Sequence, residues 1–314
     1  MSGLPATAPK ASDPVRGRAD LALAGVALAW GASFVVIKDA LAVMPPHTLL
    51  LLRFAVATVA LAALFPRAVS AVSARALATG VMLGALLWAS FALQTVGLVF
   101  TTPAKSAFLT ALYVLLVPLL NRALFGARFT RPVRIGIALA FAGLTLLAHP
   151  EDLSRVNRGD VLTVGCALAF ALHIVLLGRA APALPAPALA LIQLAVVCAL
   201  SLVAALAWES PSLVLPPRAW AAVLFLGLAC SAFAFLVQTW AQRHTAPSRV
   251  ALLFSLESVF AALLSVALLG ERLTPGEWAG GCLVVAGVLV AELAPSWGRA
   301  QARTGSRSGP RART

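Results

Sequence analysis

Long apolar runs broken by short polar stretches dominate the chain from about residue 20 to residue 294. Mainly apolar windows fall at 21–43, 47–65, 75–98, 104–125, 132–149, 160–180, 186–208, 219–242, 247–269 and 276–294. Each is about 18–24 residues, enough for a helix to cross ~30 Å of hydrocarbon. The pattern predicts an all-α membrane protein with ten transmembrane helices.

The pattern also occurs twice. Shifted by 144, residues 85–147 lie over 229–291 without a gap and share 20 identities in 63 positions. These include Phe91/Phe235, Gln94/Gln238, Thr95/Thr239, Pro103/Pro247, Gly126/Gly270, Arg128/Arg272, Thr130/Thr274, Gly136/Gly280 and Gly143/Gly287. Shifted by 140, residues 18–64 cover 158–204 and pair Arg18/Arg158, Asp20/Asp160, Gly25/Gly165, Pro45/Pro185 and Leu51/Leu191. Shared apolar bias does not place Pro, Gln, Arg and Asp in one register. With five spans per half, the second half is inverted relative to the first. Two inverted five-helix repeats build a site at their mid-membrane interface and rock around it, which is transporter architecture.

Composition agrees with a membrane protein: 61% hydrophobic, 11% charged, mean hydropathy +0.95. The net charge of +13 would suit nucleic acid, but its placement argues for lipid. With the N-terminus inside, 17 Lys and Arg fall in cytoplasmic segments and 6 outside, with Arg53 left within the second span. That bias puts both termini in the cytoplasm. The expected organisation is a polar cytoplasmic N-terminus at 1–19, repeats at 20–149 and 158–294, and a basic disordered cytoplasmic tail at 295–314. The first apolar run is too long for a typical signal peptide and lacks a convincing cleavage site, so it is expected to remain. Cys166, Cys198, Cys230 and Cys282 all lie in apolar spans without metal-ligand spacing and read as small packing residues.

Trp30-Gly31 in the first span, Arg53-Phe54 in the second, the proline-led fourth and ninth spans, and Gly270-Glu271-Arg272-Leu273-Thr274 before a Gly-rich last span resemble the EamA-domain family of the drug/metabolite transporter superfamily. The resemblance covers residues 20–294. It implies ten helices, a central cavity lined by spans 1, 3, 4, 6, 8 and 9, and export or uptake of small metabolites. Ala127 stands where the second half has Glu271, so any acidic role at that loop is one-sided.

Candidate functional residues are the polar groups at mid-depth, which hydrocarbon penalises unless they face protein or a wet cavity. Glu257 is the one acid well inside a span. It reads as a reversible proton site or substrate contact, against a structural helix–helix bond. Its repeat partner is Tyr113, the only tyrosine; the pseudo-twofold brings the two near each other across the interface. His173, repeat partner of Ser33, is a second proton candidate, against a satisfied core histidine. Trp88, Phe91 and Thr95 share one face of span 3 beside Gln94. Phe235, Gln238 and Thr239 repeat that face in span 8. With Trp30, they form a wall for an amphipathic solute, or ordinary packing. Arg53, whose partner is Gln193, reads more as a snorkelling structural cation than as a substrate contact.

Lys105 and Arg249 are repeat partners at the starts of spans 4 and 9, where the helix dipole disfavours cations. They suggest mouth charges that draw in carboxylates, against interfacial anchoring. Gly136 and Gly143 in span 5 match Gly280 and Gly287 in span 10, and their sevenfold spacing makes a groove for close helix approach.

No GxxxxGK[ST] nucleotide signature and no HExxH pair is present. The reading is a non-enzymatic secondary transporter of the cytoplasmic membrane that exports amino acids or related metabolites, with a proton gradient through Glu257 as the leading energy source and facilitated exchange as the alternative. Amphipathic drugs or other metabolites are the alternative cargo, and a membrane-embedded enzyme or scaffold the non-transport alternative. Expected partners are a small-molecule solute and the lipid bilayer, with a homodimer left open, and no nucleic acid. No cofactor or metal is expected.

Overall fold

Apolar windows bounded by proline and small polar residues become helices in the computed structural model, which describes residues 14–70, 72–128, 130–147, 156–269 and 273–305. The first repeat comprises α1 (Pro14–Ala40), α2 (Pro46–Leu64), α3 (Ala74–Phe100), α4 in two pieces (Pro103–Thr110 and Tyr113–Phe125) and α5 (Arg131–Leu147). The second comprises α6 (Arg158–Ala180), α7 (Ala186–Trp208), α8 (Pro217–Ala241, with a π segment Leu228–Phe233), α9 in two pieces (Pro247–Phe254 and Leu256–Leu269) and α10 (Pro275–Gly305). Among the described residues there is no strand.

Local chemistry fixes the helix starts. Pro46, Pro103, Pro217, Pro247 and Pro275 open their helices, where a missing N–H costs no intrahelical bond. Ser73 and Thr102 accept from the backbone N–H groups of Ala76 and Lys105. Asn157 and Asp160 form a reciprocal capping box. The carboxylate of Glu209 reaches across to the N–H groups of His47 and Thr48, both at 2.8 Å, and caps α2 from outside it.

Among the described residues, eight helices are long and apolar enough to cross a membrane, and Pro275–Ala291 is a shorter apolar helix. The expectation of ten crossings is therefore met in part. α5 has 17 described residues, about 26 Å at 1.5 Å per residue, a little under the hydrocarbon thickness, and it begins on Arg131 and Arg134. α10 departs from expectation at its other end. The helix runs to Gly305, where a disordered tail was expected from 295, because 299–303 is Arg-Ala-Gln-Ala-Arg, all good helix formers. The rest of that tail, residues 1–13 and Gly270-Glu271-Arg272 lie outside the described residues.

The repeats interlock. α5 packs along α10, α2 along α7, α3 along α6, and α1 against α8 and α9. In the α5–α10 pair the glycines oppose each other. A Cβ on Gly136 would lie 2.5 Å from the Gly287 carbonyl, and one on Gly143 would lie 2.5 Å from that of Gly280. Outward faces carry Leu21, Val59, Val203, Leu206 and Trp208, each more than 60% exposed; an apolar belt of this kind suits lipid, not water.

Candidate functional site

The two broken helices position the centre of the molecule. α4 breaks after Thr110 and α9 after Phe254, at matching points of the repeat, and Tyr113 and Glu257 follow the breaks. The Tyr113 hydroxyl donates to Glu257 Oε1 at 3.1 Å, and both side chains are buried. Gly31 lets α1 pass this point. A Cβ there would sit 2.7 Å from the Glu257 carbonyl oxygen, so only glycine fits without a backbone shift.

Glu257 lines a cavity together with Trp30, Ser33, Phe34, Arg53, Ser90, Phe91, Gln94, Thr110, Cys166 and Phe170. The open space within is small, ≈ 30 Å³, enough for a few waters and no more. Aromatic rings make its walls: Trp30 lies 4.6 Å from Phe254 and 5.6 Å from Phe170, centroid to centroid. Phe91 and Phe235, equivalent in the two repeats, meet edge to face at 5.7 Å. The π segment of α8 lies behind two of the lining residues, Trp30 and Arg53. There the Cys230 carbonyl accepts from Trp30 Nε1 at 2.9 Å and from Arg53 Nη2 at 3.2 Å. Such widened turns recur at functional sites in helical proteins.

Two ion pairs close the bundle above and below. Lys105 Nζ lies 2.7 Å from Asp160 Oδ2, and Thr101 donates to Oδ1 of the same carboxylate at 2.9 Å. Arg249 Nη2 lies 3.0 Å from Asp20 Oδ2, and Thr245 donates to its Oδ1 at 3.0 Å. Lys105, Thr101 and Asp160 correspond one for one to Arg249, Thr245 and Asp20 under the repeat offsets. Each pair joins one repeat to the other. They stand at opposite ends. Lys38, 18 residues along α1 from Asp20 and so roughly 27 Å away, donates to the Thr101 carbonyl at 3.0 Å. Trp30, Ser33 and the cavity lie between.

The expected site residues divide accordingly. Trp30, Ser33, Phe91, Gln94 and Glu257 line the cavity, with Tyr113 behind Glu257 and Phe235 behind Trp30 and Phe91. Gln94 donates to Thr110 at 3.1 Å, and Ser33 bonds its own helix at Trp30. Three further expected residues do not line it either. His173 bonds Gln193 Oε1 at 2.7 Å and stacks on Phe170. Gln238 donates to Gln242. Trp88 stacks near His47. All three sit on helices α3, α6 and α8, which also carry Phe91, Phe170 and Phe235.

Lys105 and Arg249 meet carboxylates of the chain itself, so the acids at the two mouths are internal. Unanticipated cavity residues are Phe34, Ser90, Thr110, Cys166 and Phe170; Arg53 was read as structural. The Asp20/Asp160 identity within the repeat, beside Lys105/Arg249, was the available signal for the ion pairs. Among the described residues no group of three or more His, Cys, Asp or Glu side chains could hold a metal ion.

Comparison with known proteins bears on this geometry. The profile of the EamA-like transporter family matches residues 17–148 and again 157–293. An "uncharacterized transporter" of Archaeoglobus fulgidus is 31% identical over 275 residues, covering 88% of this chain and 86% of that protein. The "uncharacterized inner membrane transporter YedA" of Escherichia coli K12 is 28% identical over 272 residues, covering 86% and 89%. One crystal structure shares the fold with a TM-score of 0.76 at 20% identity, covering 89% of this chain and 98% of that one.

Proposed function

This chain belongs to the EamA-like transporter family, and on that premise we propose that it is a secondary transporter that exports amino acids or related small metabolites by alternating access. It is a membrane transporter by family and by its apolar helices; the cargo, the cycle and its coupling are our reading. The observation that carries the reading is the duplicated ion pair. Two equivalent latches, Lys105–Asp160 and Arg249–Asp20, join the repeats at opposite ends of one central cavity. Opening one while the other holds exposes the cavity to one side at a time, and rocking of the repeats supplies the motion.

We read ten crossings with both termini cytoplasmic, the inner membrane as location, and no catalytic role. Glu257 is the proposed proton site. Protonated, it crosses the occluded state without an unpaired charge; when water reaches it from an open latch, it releases the proton. Tyr113 holds its carboxyl in place in either form. His173, tied to Gln193 away from the cavity, drops to a positioning role beside Phe170. The Trp30, Phe91 and Phe170 walls favour, as a second reading, an amphipathic cargo.

The test is reconstitution. Purified protein in liposomes should exchange labelled amino acids across the membrane, and an imposed pH gradient should drive net flux. Exchange without any response to the gradient would remove the proton coupling, and no flux of any solute would remove the transport reading.

A further inference from the structure

Resting on the transport reading, we propose that Arg53 is the anchor for a carboxylate on the solute, and that with Glu257 on the same cavity it makes this a carrier of zwitterions. Arg53 is 1% exposed, buried seven residues into α2. A guanidinium always carries its charge and offers five N–H groups. Two find partners: Nε donates to Ser231 Oγ at 2.6 Å and Nη2 to the Cys230 carbonyl at 3.2 Å. The Phe91 ring lies 4.6 Å from its Cζ. Both N–H groups of Nη1 have no partner among the described residues.

Nor has its charge. The ion pairs among the described residues are those at the two ends of the bundle, and none involves Arg53. A buried ion without a counter-ion is the costly arrangement, because desolvation is offset only by a partner of opposite sign. Ser231, the carbonyl at the π segment and the ring face hold the guanidinium, and Arg53 lines the cavity. A planar fork held this way matches a carboxylate in two parallel bonds.

The second charge lies on the same cavity. Glu257 uses Oε1 to accept from Tyr113 and no ion pair joins it to Arg53. One fixed cation and one acid on the same cavity are complementary to a small solute bearing both an ammonium and a carboxylate. The second repeat has Gln193 at the position of Arg53, and there the amide is spent on His173 and the Leu189 carbonyl. The anchor therefore exists once, and a solute binds in one orientation.

The experiment uses the twenty common amino acids singly, in thermal stabilisation and liposome counterflow with the full chain. Each amino acid that binds is then compared with its amide, which lacks the carboxylate, and its deamino acid, which lacks the ammonium. The expected result is that the amide binds on the order of ten- to a hundredfold more weakly than the acid, the worth of a charge-assisted pair. Arg53→Gln should erase that difference while keeping the wild-type unfolding midpoint within a few degrees. Should Arg53→Gln not fold, Arg53→Lys keeps the charge without the fork and should shrink the discrimination. Amides carried as well as acids by the wild type, or discrimination unchanged in a folded variant, would overturn the proposal. Flux of neutral or cationic solutes with no amino acid carried would overturn it and leave the transport reading standing. No flux of anything would remove both.

Discussion

At one end of the bundle a lysine and a threonine hold Asp160, and at the other an arginine and a threonine hold Asp20. At mid-depth the same repeat relation pairs Tyr113 with Glu257, Arg53 with Gln193, Gly31 with Ala171 and Ser33 with His173, and each pair has lost its common chemistry. The contrast separates two demands. A carrier that opens alternately needs two closures of similar strength, since a large bias would trap it facing one way. A solute lies in the middle in one orientation, so the groups that meet it need not be duplicated. The ion pairs at the ends keep their chemistry, whereas at the centre the Phe91/Phe235 contact is kept and these four pairs differ.

The variant that breaks the asymmetric centre most completely is Glu257→Gln. The amide is nearly isosteric, and its oxygen still accepts from the Tyr113 hydroxyl, so folding and insertion should be normal. Without a titratable group at that depth, flux driven by an imposed pH gradient should fall to the level of empty liposomes, while exchange of a deamino acid, which has no ammonium to meet the acid, should be retained better than that of its amino acid. Gradient-driven flux at the wild-type rate would make Glu257 a packing residue and leave the centre without a coupling role.

Much of this arrangement was legible in the sequence, for a physical reason. Polar side chains are so costly inside hydrocarbon that each one stands out, and a 144-residue offset then places Tyr113 opposite Glu257. Rotation about a helix axis is harder to read in spans that are apolar all round. Hence Trp88, Gln238 and His173 were assigned to the cavity and do not line it, while Arg53 was expected to snorkel outward and is buried under Phe91. The breaks in α4 and α9 have no Gly or Pro at them, and the π segment at Leu228–Phe233 has only Gly227 before it. Asp20 and Asp160 sit at span ends, where a charge is ordinary, and only their pairing with the equally duplicated Lys105 and Arg249 gives them meaning.

The symmetric ends offer a test of intermediate size. Asp160→Asn and Asp20→Asn each remove the charge from one latch and keep its shape. Their effects should be mirror images. In protein with the other three cysteines replaced, Cys166 on the cavity wall reports which side is open through its reaction with an impermeant maleimide. Each variant should speed labelling from the side of its own latch on the order of tenfold, since removing one partner of a buried pair costs a few kcal/mol, part of which water recovers at a mouth. Acceleration from the same side in both variants would mean that the pairs are structural and not alternating closures.

The smallest change returns the centre toward symmetry. Gly31→Ala gives the first repeat the residue that the second holds at Ala171. The added methyl would meet the Glu257 carbonyl oxygen at 2.7 Å and the Ala261 nitrogen at 3.0 Å, and both are backbone atoms that cannot rotate aside. α1 and α9 must then separate by a few tenths of an ångström. Overpacking of this kind costs about 1–3 kcal/mol, so a modest fall in the unfolding midpoint is expected. Because the strain falls on the turn that carries Glu257, transport should drop several-fold more than the equivalent crowding substitution Gly143→Ala at the α5–α10 contact, where a Cβ would meet the Gly280 carbonyl at 2.5 Å but no cavity residue is displaced. Measuring flux against unfolding midpoint for the two variants separates position from bulk. If both lose transport only in proportion to their stability, the close approach at Gly31 serves packing alone, and the loss of symmetry there carries no functional meaning.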